Sequence, residues 1–172
     1  VYLGLGGNLG NAADALQQAV EELSLIEGIT LVGVSQLYRT KPVGGPSDQP
    51  DYLNAVLAVD TILDPHFLLG ICLSIEQKLG RVRRERWGSR AIDIDILLYG
   101  RRIINEPGLI VPHRMLRRRL FAMVPLADVA PTDFSLPPDG KQLKNLIEAA
   151  MKDPELAAQR PLTVVKTSIE IS

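Results

Sequence analysis

The sequence predicts an α+β fold, one antiparallel sheet with helices packed on it, and three observations predict it. Apolar residues recur at helical spacing over residues 12–23 and again over residues 67–79. Short apolar or β-branched runs bounded by turn residues occupy 2–6, 29–38 and 53–61. A fourth run, residues 91–99, alternates strictly, with Ile92, Ile94, Ile96 and Leu98 on one face and Asp93 and Asp95 on the other.

Residues 2–6 read as a strand, and Gly7-Asn8-Leu9-Gly10-Asn11 is a turn that hands over to a helix with Asn11 as its N-cap. Ala12, Ala15, Leu16, Ala19, Val20 and Leu23 form the apolar stripe of that helix, and Gly28 ends the unit. A second strand over 29–38 is followed by a Gly- and Pro-rich loop from Lys41 to Pro50, long enough to suggest a functional role. After the third strand, Asp64-Pro65 supplies an N-cap with proline at the first helical position. Phe67, Leu68, Ile71, Cys72, Ile75 and Leu79 are the expected buried stripe of the second helix, and Gly80 stops it. Residues 81–90 have no apolar period and read as a loop. Beyond the fourth strand, 115–123 and 143–151 are expected to be helical, and residues 155–172 are left unassigned. The order strand, helix, strand, strand, helix, strand is the βαββαβ pattern of ferredoxin-like folds, with the helices on one face of the sheet and the other face left for a site.

At 172 residues the chain is expected to form a single domain. Its hydrophobic share of 46% sets it apart from disordered chains. Cys72 is the one cysteine, so no internal disulfide is available, and its apolar neighbours point to a core role. No run approaches the roughly eighteen apolar residues a membrane span needs, and residues 2–6 enter a strand rather than a basic leader, so a cytoplasmic location is expected, with neither a membrane nor an obligate protein partner. The formal net charge of −1 conceals a strong asymmetry: residues 81–119 hold eleven arginines against four acids, a local +7. An anionic ligand is expected there.

Asp93 and Asp95, two apart on a strand, leave the same face about 6 to 7 Å apart. A hard divalent cation relieves their repulsion, and oxygen ligands at this spacing suit one or two magnesium ions bridging to phosphate oxygens. Taken alone, the pair reads equally well as the solvated face of an edge strand. Arg81, Arg83, Arg84, Arg86 and Arg90 just before it favour the phosphate reading, because guanidinium forks match phosphate oxygens in pairs. Familiar nucleotide motifs are missing: after Gly4 and Gly6 the third glycine of a dinucleotide fingerprint falls on Leu9, and Gly140-Lys141 is followed by Gln142 where a Walker loop needs Ser or Thr. Tyr52 beside Asn54, Trp87 in the arginine loop and Phe121 suit a flat heterocycle whose edge Asn54 can read, although Tyr52 and Phe121 also read as core residues. His113 reads as a phosphate donor or as a structural residue.

In seven blocks the chain resembles the 6-hydroxymethyl-7,8-dihydropterin pyrophosphokinase family, over about residues 2–140. The blocks are Leu5-Gly6-Gly7-Asn8-Leu9-Gly10, Tyr38-Arg39-Thr40, Asp48-Gln49-Pro50-Asp51-Tyr52-Leu53-Asn54, Gly80-Arg81-Val82-Arg83, Glu85-Arg86-Trp87-Gly88, Arg90-Ala91-Ile92-Asp93-Ile94-Asp95 and Val111-Pro112-His113. The resemblance implies a ferredoxin-like fold and transfer of the terminal diphosphate of ATP, the co-substrate, to the hydroxymethyl group of the pterin, with AMP as by-product. It implies Asp93 and Asp95 as the magnesium ligands and Arg81 and Arg90 as catalytic arginines on the phosphates. Glu76, Arg83, Trp87, Arg90, Ile96, His113 and Arg119 fall on positions lining the ATP site, and Thr40, Val43, Tyr52, Asn54 and Phe121 on positions around the pterin. The sequence departs from the family pattern at Gly7, where serine is usual, at Ser89, where proline is common, and at Arg114, where an aromatic residue is frequent. Two other readings stay open: a non-catalytic RNA-binding module, against which the two aspartates would repel a phosphate backbone, and a pterin-binding scaffold without activity.

Overall fold

The computed structural model describes residues 1–42, 49–80, 91–159, 163–165 and 168–171. Strand β1 (Tyr2–Gly7) turns through Gly10, at φ +57°, into helix α1 (Ala12–Ser24), whose N-cap Asn11 accepts from the Asp14 N–H. Strands β2 (Ile29–Val34), β3 (Tyr38–Thr40) and β4 (Tyr52–Thr61) follow, then helix α2 (Pro65–Lys78), capped by Asp64 Oδ1 accepting from His66 N at 2.9 Å, and strand β5 (Asp93–Leu98). After β5 come a hairpin, β6 (Ile104–Glu106) and β7 (Leu109–Val111), a 3₁₀ turn (Leu116–Arg118) and helix α3 (Leu120–Val129). The described chain ends in a small hairpin, β8 (Ser135–Leu136) and β9 (Lys141–Gln142), helices α4 (Leu143–Lys152) and α5 (Pro154–Ala157), and strand β10 (Thr163–Val164).

The sheet runs β5, β1, β4, with β2 and β3 lying end to end along the far edge of β4 and β10 beyond β3, every pairing antiparallel. This is the expected βαββαβ arrangement with additions. One face carries α1 and α2, and Leu16, Leu23, Leu68, Cys72 and Ile75 close over Leu3, Leu5, Leu57 and Ile94 in one apolar core. Burying each such large side chain contributes about 1.5 to 3 kcal/mol, so this layer is the main source of stability. Cys72 is fully buried in it, and desolvation pushes its thiol up to about 12, the outcome its apolar setting predicts.

Three expectations are corrected. Residues 29–38 are two strands, because Val32 forms an extra residue in the register between Leu31 and Gly33 and the chain then bends at Ser35, whose hydroxyl accepts from Val56 N at 2.8 Å. Phe67 is 63% exposed, since the buried stripe of α2 follows Leu68, Cys72 and Ile75 and Phe67 lies one row away. The second face of the sheet is not wholly open: α3 runs through Pro125 and packs Leu120, Met123 and Leu126, with Leu116, Leu136 and Leu143, against Val56, Leu97 and Leu98. A bulge at Leu97 puts Leu98 in this second core instead of continuing the isoleucine row.

Gly7 ends β1 against the loop into β5, where a Cβ would lie 2.3 Å from Ala91 O. Gly7→Ser is therefore expected to lower stability by about 1 to 3 kcal/mol, the usual cost of overpacking. A melting temperature equal to the parent's would show that Ala91 yields freely.

Candidate active site

Three strands build the floor of the site. In the register of the sheet, Gly6 pairs with Asn54 on one side and Asp93 on the other, and Gly4 pairs with Val56 and Asp95. Side chains in such rows share a face, and rows two residues apart are about 7 Å from each other. Both central positions lack a Cβ. One added at Gly6 would lie 3.2 Å from Asn54 Oδ1, and one at Gly4 would lie 3.2 Å from the Leu97 side chain. The glycines thus leave a trough along β1, with Asn54 on one bank and Asp93 and Asp95 on the other, about 10 Å apart at roughly 4.8 Å per strand.

The trough opens into a cavity of about 420 Å³. Thr40, Tyr52 and Asn54 line one side, Asp93 and Asp95 the other, and Arg119 and Phe121 enter from the start of α3. Asn54 is buried and its amide Nδ2 donates to Thr40 Oγ1 at 2.9 Å, so the two polar groups fix each other. Tyr52 and Phe121 are half-buried at the cavity rather than in the core.

The three arginines that end the basic stretch are sorted by their partners. Arg117 Nη2 pairs with Asp139 Oδ1 at 2.6 Å and holds that carboxyl well below the usual range, while Arg118 Nη2 pairs with Glu155 Oε2 at 3.0 Å. Arg119 turns inward: its Nη1 is 3.4 Å from Asp95 Oδ2 and its guanidinium carbon sits 5.6 Å from the Phe121 ring centre. His113 Nε2 lies 3.7 Å from the same Asp95 oxygen. His113 Nδ1 accepts from Met115 N at 3.2 Å, which leaves the Nε2–H facing Asp95. Burial holds this imidazole below its ordinary value, and Asp95 pulls it back up.

Glu76 and Ile96 do not line the described part of this cavity. Both are buried on the helical side of the sheet, where Glu76 Oε1 accepts from Ile94 N at 2.7 Å and supports β5 from below. Val43, Arg81, Arg83, Trp87 and Arg90 lie outside the described residues. Sequence reasoning missed Lys41, Met115, Arg118, Leu156 and Gln159 at the cavity. It also missed the purpose of Gly4 and Gly6, which make the floor. Among the described residues no three His, Cys, Asp or Glu side chains form a metal cage. The carboxylates of Asp93 and Asp95 are hard oxygen donors of the kind that magnesium takes, so the residues present fit such an ion.

Residues 2–131 match the 7,8-dihydro-6-hydroxymethylpterin-pyrophosphokinase family. The chain belongs to this family. It is 52% identical over 130 residues to the 2-amino-4-hydroxy-6-hydroxymethyldihydropteridine pyrophosphokinase of Methylorubrum extorquens, covering 76% of this chain and 82% of that one. It is 44% identical over 149 residues to the protein of the same name from Pseudomonas aeruginosa, covering 87% and 90%. Among solved structures, a Plasmodium falciparum HPPK-DHPS triple mutant with pteroate superposes with a TM-score of 0.69 at 16% identity, over 92% of this chain and 45% of that one. At that identity the likeness concerns the fold, and the chain spans less than half of the solved one. The family fold is ferredoxin-like, in agreement with the strand order found here.

Proposed function

We propose that this pyrophosphokinase-family chain transfers the terminal diphosphate of ATP to 6-hydroxymethyl-7,8-dihydropterin, a step of folate biosynthesis, in the cavity over the glycine floor. The observation that carries this reading is the trough itself. It holds a buried amide at one bank and two carboxylates at the other, at a separation a bicyclic heterocycle can bridge. The pterin lies across Gly6 with its amide edge toward Asn54 and Thr40, flanked by Tyr52 and Phe121. Its hydroxymethyl group then points toward Asp93 and Asp95.

The hydroxymethyl oxygen attacks the β-phosphorus, the bond from that phosphorus to the α–β bridging oxygen breaks, and AMP and a proton leave. Asp93 and Asp95 would hold magnesium, which when bound would neutralise phosphate charge. Arg119 and the Nε2–H of His113 face the same bank and offer donors to phosphate oxygens as negative charge shifts onto the leaving group. The assignments of Arg81 and Arg90 to catalysis, and of Arg83 and Trp87 to ATP, rest on the sequence resemblance. Glu76 acts from below by holding the backbone of β5. Residues 1–172 work as a single domain on small-molecule substrates in the cytoplasm, without nucleic acid, membrane or obligate protein partner. No helix among the described residues is long and apolar enough to cross a membrane.

The test is an assay for nucleotide products with ATP, magnesium and hydroxymethyl-dihydropterin, followed by mass analysis of the pterin. Equimolar AMP and pterin diphosphate are expected. ADP as the product would make the chain a simple kinase, and pterin binding without turnover would make it a scaffold.

A further inference from the structure

The first backbone N–H groups of a helix have no partner within the helix and are normally satisfied by an oxygen on the N-cap side chain. At α3 the N-cap is Arg119, at φ −124° and ψ 96°, and its side chain makes no capping bond. A guanidinium carries only donors, so it cannot cap. That leaves it available to face Asp95, at 3.4 Å.

The missing acceptor comes from far downstream. Gln159 Oε1 accepts from Leu120 N at 2.8 Å, and Gln159 Nε2 donates to Arg118 O at 2.8 Å. One amide thus clips both sides of Arg119, and its orientation is fixed because it must accept from an N–H and donate to a carbonyl. Gln159 is only 7% exposed and borders the cavity. The segment bearing it is itself anchored. Asp153 Oδ1 caps α5 by accepting from Glu155 N and Leu156 N, Glu155 pairs with Arg118, and Gln159 N donates to Leu156 O at 3.0 Å. Gln159 lies beyond residues 2–131, the part matched to the family.

We propose that Gln159 is a positioning residue for the transfer reaction: by capping α3 in place of Arg119, it aims Arg119 at the phosphate bank and Phe121 at the heterocycle. This rests on the function proposed above. Leu120 is the only residue between the two site side chains, so a shift of the clipped turn moves both. Loss of the clip should therefore weaken both substrates together, whereas loss of an ordinary surface bond should weaken neither.

The experiment compares the parent chain with Gln159→Met, which keeps the length and removes both bonds, and Gln159→Glu, which keeps the acceptor for Leu120 N and loses the donor to Arg118 O. Steady-state kinetics give kcat and both KM values. Fluorescence titration with 6-hydroxymethylpterin, in magnesium and a non-hydrolysable ATP analogue, gives pterin affinity without turnover, and melting curves report folding. In Gln159→Met both KM values and the pterin Kd are expected to rise at least threefold at a temperature where the protein is folded, and kcat is expected to fall because Arg119 also serves the transition state. If that variant does not fold, Gln159→Glu carries the same expectation. Rises of less than threefold in the folded variant, with or without a fall in melting temperature, would overturn the proposal. An inactive parent would instead strike at the proposed function, before any variant is compared.

Discussion

Asp93→Asn and Asp95→Asn should each lower turnover by at least about a hundredfold while the fold melts close to the parent, the hundredfold being the size of loss typical when one electrostatic stabiliser is removed. Both side chains rise from the site face of β5, and the isoleucines between them enter the core below, so neither carboxylate supports packing. Asp95 is 36% exposed at its side chain and its contact with Arg119 is 3.4 Å long. A pair of that kind contributes roughly 0 to 1 kcal/mol, which for a chain of this size is a shift of about 4 °C or less. Asp95→Asn also releases Arg119 and His113 from their shared carboxylate, so its KM for ATP should rise. Activity measured against magnesium concentration, beside a melting curve, decides the matter. Near-normal turnover at ordinary magnesium in both variants would remove the metal-ligand assignment, and a collapse in melting temperature would make the pair structural.

The elements visible in the sequence were those whose cause is local. Asn11, Asp64-Pro65 and Gly80 bound their helices because caps and positive-φ glycines act within a few residues, and the Ile92 to Ile96 alternation fixes which face Asp93 and Asp95 take. What stayed hidden depends on partners distant in sequence. The break between β2 and β3 is made by Val56 reaching Ser35, and the bulge at Leu97 by its pairing with β1. α3 passes through Pro125 because its apolar side chains bury against β4 and β5, which outweighs one lost helical hydrogen bond. The site divides in the same way. The aspartate pair and the arginine excess can be read along the chain, but nothing in residues 117–119 says that Arg119 is the one that faces Asp95. That choice is made by Asp139 and Glu155, which engage its neighbours. Gly4 and Gly6 do not fit a dinucleotide fingerprint, whose third glycine falls on Leu9. Their role as a bare floor appears only when β4 and β5 flank them.

Asn54→Ala is expected to weaken pterin binding by about 1 to 3 kcal/mol, the cost of leaving buried polar atoms of the ligand unpaired, which is roughly a five- to 150-fold rise in Kd. The geometry makes the loss selective. Asn54 sits one strand beyond Gly6, about 10 Å from Asp93, so the phosphate bank does not sense its removal. ATP binding should change less than about twofold. Thr40 is the control, because its hydroxyl accepts the Asn54 amide at 2.9 Å and both groups are buried. Thr40→Val keeps the shape and frees the amide to turn, so it should produce a smaller loss of the same kind. The double variant should lose less than the sum of the two, since each acts through the bond they share. Equal weakening of ATP and pterin by Asn54→Ala would mean that the amide braces β3 against β4. Strict additivity with Thr40→Val would mean that the two residues touch the heterocycle independently.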